Sequence, residues 1–268
     1  MGHIRNCYGT SVWPTPVVFG YFYGVKRRIV FTPLLCSLTA ICLGQNAPSR
    51  EQWGEQFNSP GAKLTYKETE RARTPEKTVI TYNLFASGLP KNSHYVLWAL
   101  HVGDDPQVIS DPYWNDQGKL VRVLADSEHH IAEDPIEVKV SGGKGEPTQF
   151  ALISDDGQSR AFAEIVPFPM DVNQGPCHLS AVETGPYYFG MLIKLTGLQP
   201  DEELLVDRRS EGEGGQSKAK ADEQGSYKAN FFPRVKGENS GMAKFRVSAK
   251  SCKIGIEFPW GEGSYQYQ

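Results

Sequence analysis

The densest group of metal-capable side chains is Glu128-His129-His130 followed by Glu133-Asp134. On one helical turn, His130 and Glu133 would share a face, as two ligands of one ion must. A catalytic zinc site needs three protein ligands and an open fourth position, and this spacing does not supply them. We therefore interpret the group as a solvated loop, and we predict neither a metal nor another cofactor.

Three short turns rich in aspartate and glycine, at residues 115–118, 155–157 and 222–225, superficially suggest calcium loops. A calcium loop of the EF-hand type needs alternating oxygen ligands over twelve residues that end in glutamate. None of the three fits that pattern. We predict that all three are hairpin turns in which glycine takes a positive φ.

Nucleophilic catalysis has no support in the sequence. Outside the N-terminal segment, no serine stands in a Gly-x-Ser-x-Gly motif. Cys177 and His178 are adjacent, so on a strand their side chains point to opposite faces and cannot form a thiolate–imidazolium pair. We predict that the protein is not an enzyme, although an enzyme without a recognisable motif remains an alternative.

Tyr113 and Trp114 are the candidate ligand-binding residues, because two aromatic rings stand side by side in an otherwise polar loop. Exposed tyrosine and tryptophan rings can stack on sugars or anchor a protein partner at low entropic cost. The alternative is that Trp114 folds back and caps the edge of the fold, as we expect Trp260 to do near the C-terminus.

The N-terminal segment has the composition of a secretory signal. Lys26-Arg27-Arg28 precede the mostly apolar residues 29–44, and polar Gln45-Asn46 follow. The apolar run is shorter than the ~20 residues of a spanning helix. We predict cleavage near Gly44, a secreted or periplasmic protein, and no membrane span in the mature chain. An uncleaved anchor and a lipid anchor remain alternatives.

Residues 1–24, which precede this signal, have neither helical nor alternating periodicity. Val25 followed by three cations would open an ordinary signal peptide. Our hypothesis is that translation starts at Val25 and that residues 1–24 come from a mis-called start. A long, genuine N-terminal region is the alternative.

Charge and cysteine content limit the kind of partner and predict a disulfide. The chain has 28 basic and 31 acidic residues without a basic stripe, so we expect no nucleic-acid partner. We also expect a monomer. Of five cysteines, only Cys177 and Cys252 lie beyond the predicted signal. In an exported chain this pair predicts one disulfide, with two free buried thiols as the alternative.

The body of the chain reads as short strands separated by glycine- and aspartate-rich turns, which indicates a sandwich or barrel. Residues 210–220 are hydrophilic and read as a mobile loop or a twisted edge. Two internal similarities join the halves: residues 86–90 resemble 195–200, and residues 156–175 match 222–241 at six positions. Duplication and convergent turn chemistry both remain open explanations.

These features resemble the tandem immunoglobulin-like or fibronectin-III-like β-sandwich domains of exported bacterial proteins. The resemblance rests on the Gly-Leu turns, the turn at residues 222–227 and the closing residues 252–261, and it covers most of residues 62–260. It implies an all-β fold with two sandwiches at residues 62–169 and 170–268, after a leader (1–44) and a linker (45–61).

The function we expect is non-catalytic: binding, adhesion or scaffolding outside the cytoplasm, with an unknown protein or glycan partner. Fold analogy supports this only in part, because one fold serves many functions. The alternative is an accessory carbohydrate-binding protein that uses the Tyr113–Trp114 loop.

Overall fold

The computed structural model describes residues 48–123, 130–131 and 135–264. The predicted leader and the group at 128–134 lie outside these residues, apart from the backbone of residues 130–131. The described chain consists of antiparallel strands and three single 3-10 turns, which confirms the predicted all-β class.

Ten strands form two facing sheets in the first half. The strands are β1 (Lys63–Arg73), β2 (Thr78–Ser87), β3 (Ser93–His101), β4 (Gln107–Ser110), β5 (Pro112–Trp114), β6 (Leu120–Val123), β7 (His130–Ile131), β8 (Ile136–Val140), β9 (Thr148–Ser154) and β10 (Arg160–Ile165). One sheet has the order β1-β2-β8. The other runs β10-β9-β3-β5-β6-β7, with β4 also paired to β3.

Eight strands form two four-stranded sheets in the second half. They are β11 (Met170–Gln174), β12 (Cys177–Gly185), β13 (Gly190–Thr196), β14 (Glu203–Ser210), β15 (Glu213–Lys220), β16 (Tyr227–Phe231), β17 (Ser240–Ser248) and β18 (Lys253–Gly261). Their orders are β11-β12-β13-β16 and β15-β14-β17-β18.

The two halves share one connectivity. In each, two successive strands form a hairpin (β1-β2 and β12-β13), and a later strand, β8 or β16, pairs with the second of them. The facing sheet joins β3 to β9 and β10 in the first half, and β14 to β17 and β18 in the second. This arrangement is that of immunoglobulin-like sandwiches.

Alternation along the strands builds the cores. On β3, Tyr95, Leu97 and Ala99 face the opposing sheet, whereas Trp98 and Leu100 face outward. The first core contains buried residues from Ala62 to Ile165, and a separate core contains those from Met170 to Trp260.

A glycine ends the equivalent strand in both halves. Gly88 and Gly197 have φ values of +70° and +85°, and an added Cβ would stand 2.0 Å from the Gly61 carbonyl oxygen and 1.9 Å from that of Pro176. The leucine after each glycine is buried in its own core. The similarity between residues 86–90 and 195–200 therefore reflects equivalent positions in the two sandwiches.

The second similarity does not reflect equivalent positions. Asp156 lies in the hairpin between β9 and β10, whereas Asp222 lies between β15 and β16, which belong to different sheets. In each turn, Oδ1 of the aspartate accepts a hydrogen bond from the amide two residues later, at 3.0 Å. Shared turn chemistry explains the match. The hairpin prediction is confirmed for residues 115–118 and 155–157 and is wrong for 222–225.

Residues 48–59 cover the outward face of the first half. Trp53 is 5% exposed and its ring lies 5.9 Å from that of Phe162 on β10. The Asn58 side chain accepts a hydrogen bond from the Phe162 amide at 2.6 Å, and the Ser59 amide donates to the Arg160 carbonyl at 2.9 Å. The segment assigned to a linker from the sequence thus contacts both the face and the edge of β10.

The two sandwiches meet directly. The Gly145 amide donates to the Phe168 carbonyl at 2.7 Å, and the Glu183 amide donates to the Gly145 carbonyl at 2.9 Å. Gly103 lies so close to Pro186 that an added Cβ would stand 3.2 Å from the proline Cβ. The β3–β4 and β8–β9 loops of the first half thereby contact the second half.

Candidate binding surface

The structure separates the two candidate ligand-binding residues. Trp114 is 6% exposed and belongs to the first core, so its ring cannot stack on a ligand in this arrangement. Tyr113 points the other way because side chains alternate along β5. It is partly exposed, and its ring lies 4.8 Å from that of His94. The loop therefore presents one aromatic ring, and Trp114 follows the capping alternative.

Cys177 and Cys252 are at disulfide distance, with their sulfur atoms 2.08 Å apart. Cys177 begins β12 and Cys252 immediately precedes β18, so the bridge joins the two sheets of the second sandwich. Cys177 is consequently not a nucleophile for its neighbour His178. The His178 Nε2 atom instead lies 3.6 Å from an Asp171 carboxylate oxygen at the surface.

Among the residues described, no group of three or more histidine, cysteine, aspartate or glutamate side chains is arranged to hold a metal ion. In the same residues, no helix is long and apolar enough to cross a membrane.

A groove of about 540 Å³ opens on one flank of the second sandwich, lined by residues 208–210, 213–217 and 230–235. We call it the flank groove. It lies between the β14–β15 hairpin on one side and the end of β16 with the following segment on the other. The two sheets of the sandwich are not bridged along this flank, because β15 and β16 are the last strands of their sheets.

Arginines dominate the charge of the flank groove. Leu204 and Val206 face the core, so Arg208, two residues further along β14, lies on the same inner side. One guanidinium nitrogen of Arg208 donates to Ser217 Oγ at 3.3 Å. The Arg234 guanidinium lies 5.4 Å from the centre of the Phe189 ring. Arg209 differs from these two because its Nε is bound to the Asp207 carboxylate at 3.0 Å.

Ser210 is the buried polar residue of the groove. It is 6% exposed, and its Oγ has no hydrogen-bond partner among the described residues. A buried hydroxyl without a partner costs about 1–3 kcal/mol, so proteins rarely retain one without a reason. The hydroxyl is a free donor and acceptor at the wall of a groove that carries arginines.

Phe232 is the most exposed large apolar residue of the described chain, at 70%. It follows Phe231, which is buried in the second core; successive side chains of a strand point to opposite sides. The Phe232 ring lies against Gly190, with one ring carbon 3.5 Å from the position of an added Cβ. Exposed aromatic rings beside arginines are the composition of protein-binding hot spots.

Phe189, which lies under the Arg234 guanidinium, follows a turn with unusual backbone geometry, which we call the tyrosine turn (Pro186–Tyr188). Tyr187 and Tyr188 have φ values of +56° and +58°, a conformation that costs a non-glycine residue about 1–2 kcal/mol. Tyr187 is 41% exposed and its ring packs 6.0 Å from that of Phe189. Such strain persists only where the surroundings enforce it.

Glu183 supplies part of that enforcement. It is 1% exposed, and its Oε1 accepts a hydrogen bond from the Tyr188 amide at 2.8 Å. Burial raises the pKa of the Tyr188 phenol, and the charges of Glu183 and Glu146 raise it further. The hydroxyl therefore stays neutral while its ring packs against Phe258. The buried Glu183 carboxylate thus fixes the backbone of Tyr188, next to the outward-facing Tyr187.

The strand β15 borders the flank groove as a free edge. It pairs with β14 over its whole length without a register shift, and no strand in the described residues pairs with its other edge. Nearly all of its side chains are exposed. Of the two readings of the hydrophilic stretch at residues 210–220, the structure thus has the edge strand, preceded by a tight turn, and not the mobile loop.

The outward side of β15 carries a second depression, of about 600 Å³, lined by residues 203–205, 218–220 and 248–250. We call it the outer pocket. Its floor includes Leu205, 40% exposed, which lies opposite Lys218 across the β14–β15 pair. Lys218, Lys220 and Lys250 face it against one acidic residue, Glu203.

Sequence reasoning missed this surface, although one signal was present. Residues 231–234 read Phe-Phe-Pro-Arg at the end of a predicted strand. Two consecutive aromatic residues on a strand cannot both face the core, so one ring must lie outside. The neighbouring arginines come from β14 and from the segment after β16, and only the folded chain brings them together.

No protein-family model matches the chain, and no curated protein matches it. Among solved structures, the chain is similar to a crystal structure of a tetra-tandem repeat in the extending region of a large adhesion protein. The identity is 9%, the TM-score is 0.23, and the match covers 74% of this chain and 48% of that one. The chain thus spans about half of that structure, and so low a TM-score carries no argument about function.

Proposed function

We propose that this is a non-catalytic extracytoplasmic protein that binds a protein partner through the flank groove, in an adhesion or scaffolding role. The observation that carries the proposal is that the exposed Phe232 and Arg234 line the same groove. Burying a large aromatic ring and an arginine in one contact provides much of the binding energy of protein interfaces.

Two further observations support the proposal. The tyrosine turn packs Tyr187 against Phe189, the ring that Arg234 contacts, at a cost in backbone strain, and strain of this kind clusters at functional sites. The disulfide suits an oxidising compartment, because such bridges persist in exported proteins and are rare in the cytosol.

The glycan-binding alternative is weaker on this geometry. Sugar-binding surfaces use exposed aromatic rings, and Trp114 is buried while Tyr113 is only partly exposed, with its ring against His94 and its hydroxyl 3.5 Å from Asn92 Oδ1. The groove instead combines apolar rings with arginines, which suits a polypeptide.

Site-specific photo-cross-linking in the source cells tests the proposal. A photoreactive amino acid at position 232 should attach the protein to a defined partner, whereas the same residue at position 85 should not. Phe85 is a matched control because it is 39% exposed on β2 of the other sandwich.

Competition with purified protein completes the test. Unlabelled wild type should suppress the cross-link, and a Phe232→Ser/Arg234→Ser variant should do so at least ~30-fold more weakly, since two hot-spot residues contribute about 2 kcal/mol or more. Equal cross-linking from positions 232 and 85, or equal competition by the variant, would contradict the proposal.

A further inference from the structure

We propose that the flank groove receives an acidic polypeptide in extended conformation, which adds as a new strand to the free edge of β15. This inference rests on the proposed function and specifies the chemistry of the partner. It combines the free edge, the cavities on both of its sides, and the charge of those cavities.

The first supporting feature is the free edge of β15. β15 offers eight residues of strand whose outer backbone groups have no strand to pair with in the described chain, with Gly214 at a φ of +122°. Such an edge is a template for another strand, and proteins usually blunt it with a bulge, a proline, a cover or charged side chains, lysine above all. The register of β15 is unbroken and it contains no proline; Glu213, Lys218 and Lys220 are the charged side chains it carries, so an added strand has to match their charge. Strand addition at such edges is a known mode of peptide recognition.

The two cavities lie where the side chains of an added strand would go. Alternate residues of a strand point to opposite sides of the sheet. On the inner side they would enter the flank groove, beside Arg208, Ser210 and Phe232. On the outer side they would meet the outer pocket, beside Lys218 and Lys220. Gly214 and Gly215 leave the approach to the edge open.

Charge selects the occupant. The two cavities together are lined by six basic and two acidic residues, whereas the whole chain has a net charge of −3. Two of the six, Arg209 and Lys220, already pair with Asp207 and Asp201. The charge argument therefore rests on Arg208, Arg234, Lys218 and Lys250. A strand with carboxylates on both faces would therefore find cations on both sides. The unpartnered Ser210 hydroxyl can donate to a carboxylate that Arg208 also binds, and hydrogen bonds to charged groups are stronger than neutral ones.

The test uses the full chain and an acetylated, amidated eight-residue peptide of Glu, Val and Thr that carries Glu on both faces. Hydrogen exchange of the β15 amides should slow when this peptide binds. Three comparison ligands separate the explanations: the peptide with Lys for Glu, the peptide with N-methylated central amides, and polygalacturonate as a carboxylated polysaccharide.

Binding should be lost with the lysine peptide and weakened at least tenfold by N-methylation, because a methylated amide cannot donate to the edge. Slower exchange elsewhere with β15 unchanged overturns the proposal. Equal binding of the methylated peptide overturns it too, and so does tight polygalacturonate binding that the acidic peptide cannot match.

Variants locate the site. Arg208→Gln should weaken peptide binding about tenfold, and Lys218→Gln about two- to fivefold, because Lys218 is more exposed to solvent. Lys194→Gln, an exposed lysine on β13, is the matched control and should change nothing. Arg208→Lys should recover part of the loss if Arg208 acts by charge. Equal binding by all four proteins overturns the proposal.

The outcomes distinguish this inference from the proposed function. If position 232 cross-links a partner and the acidic peptide leaves β15 exchange unchanged, the groove binds a partner of other chemistry and only the strand inference fails. If the peptide slows β15 exchange and the cross-link is equal from positions 232 and 85, the inference holds and the proposed use of Phe232 fails.

Discussion

The two sandwiches share a connectivity and differ in what they leave open. The first is covered: Trp53 and its neighbours lie over the outward face of β10, and β4 to β7 extend the sheet beyond β3. The second has a single edge strand, β15, in the corresponding place and nothing over it in the described residues. At this one position, the first half continues its sheet beyond β3, whereas the second half leaves β15 as a free edge.

The two halves also differ in how they are held together. In the first, the aromatic layer over the outward face adds apolar burial to the core. In the second, a covalent bridge joins the two sheets instead. A cross-link stabilises the sandwich without covering any edge, so it is compatible with an accessible β15.

The largest expected effect comes from the disulfide. Replacing Cys177 and Cys252 together by alanine should lower the free energy of unfolding of the second sandwich by about 4 kcal/mol, because the bridge closes a long loop in the unfolded chain. Denaturant titration should then separate two transitions, of which only one has moved. Equal destabilisation of both halves would contradict the statement that the bridge stabilises only the second sandwich.

Gly88→Ala and Gly197→Ala should each cost about 3 kcal/mol, since both glycines combine a positive φ with a backbone oxygen at the place of the new Cβ. Thermal unfolding should show similar losses, one in each half. Gly157→Ala is the control, with φ of +69° and no atom within 4 Å of the added Cβ, and should cost only about 1–2 kcal/mol. Unequal losses at Gly88 and Gly197 would argue against equivalent positions.

Trp53→Ala should lower the stability of the first sandwich by about 2 kcal/mol, below the value for a tryptophan in a central core because the layer lies at the surface. Denaturant titration measures the loss, with Phe85→Ala as an exposed aromatic control. A result no larger than that control would mean that residues 48–59 do not support the first half.

Ser210→Ala should stabilise the protein, whereas the substitutions above should destabilise it. Removing a buried hydroxyl without a partner should raise the free energy of unfolding by about 1 kcal/mol while it weakens partner binding. Stability and binding should be measured on the same preparation. A loss of stability would show that the hydroxyl is satisfied in solution and is not held ready for a ligand.

Much of the architecture could be predicted from the sequence because its signals are local. Alternating apolar residues and glycine turns predicted the all-β class. Only two cysteines lie beyond the predicted leader, and this number predicted the Cys177–Cys252 pair. The Gly-Leu signal marked equivalent turns because both require a positive φ against a nearby backbone. The match of 222–241 to 156–175 failed as evidence of equivalence because an aspartate turn is local chemistry that recurs in unrelated connections.

The binding surface depends on non-local geometry and could not be predicted. Trp114 looked exposed because its neighbours in sequence are polar, and the alternation of β5 turns it into the core. Residues 210–220 left a mobile loop and a twisted edge open because the stretch is hydrophilic, and only the pairing with β14 decides for the edge. Arg208 comes from β14 and Arg234 from the segment after β16, and no spacing in the sequence relates them.

The position of the disulfide has a mechanical consequence. Cys177 lies at the start of β12, the second strand of the second sandwich, and Cys252 lies before its last strand, 75 residues later. Tension along the chain therefore passes through the sulfur bridge instead of through the hydrogen bonds of the enclosed strands. The ~250 Å of chain between the two cysteines cannot be drawn out. The flank groove lies inside this protected loop, so a partner held there stays bound to folded protein while the chain on either side is under load.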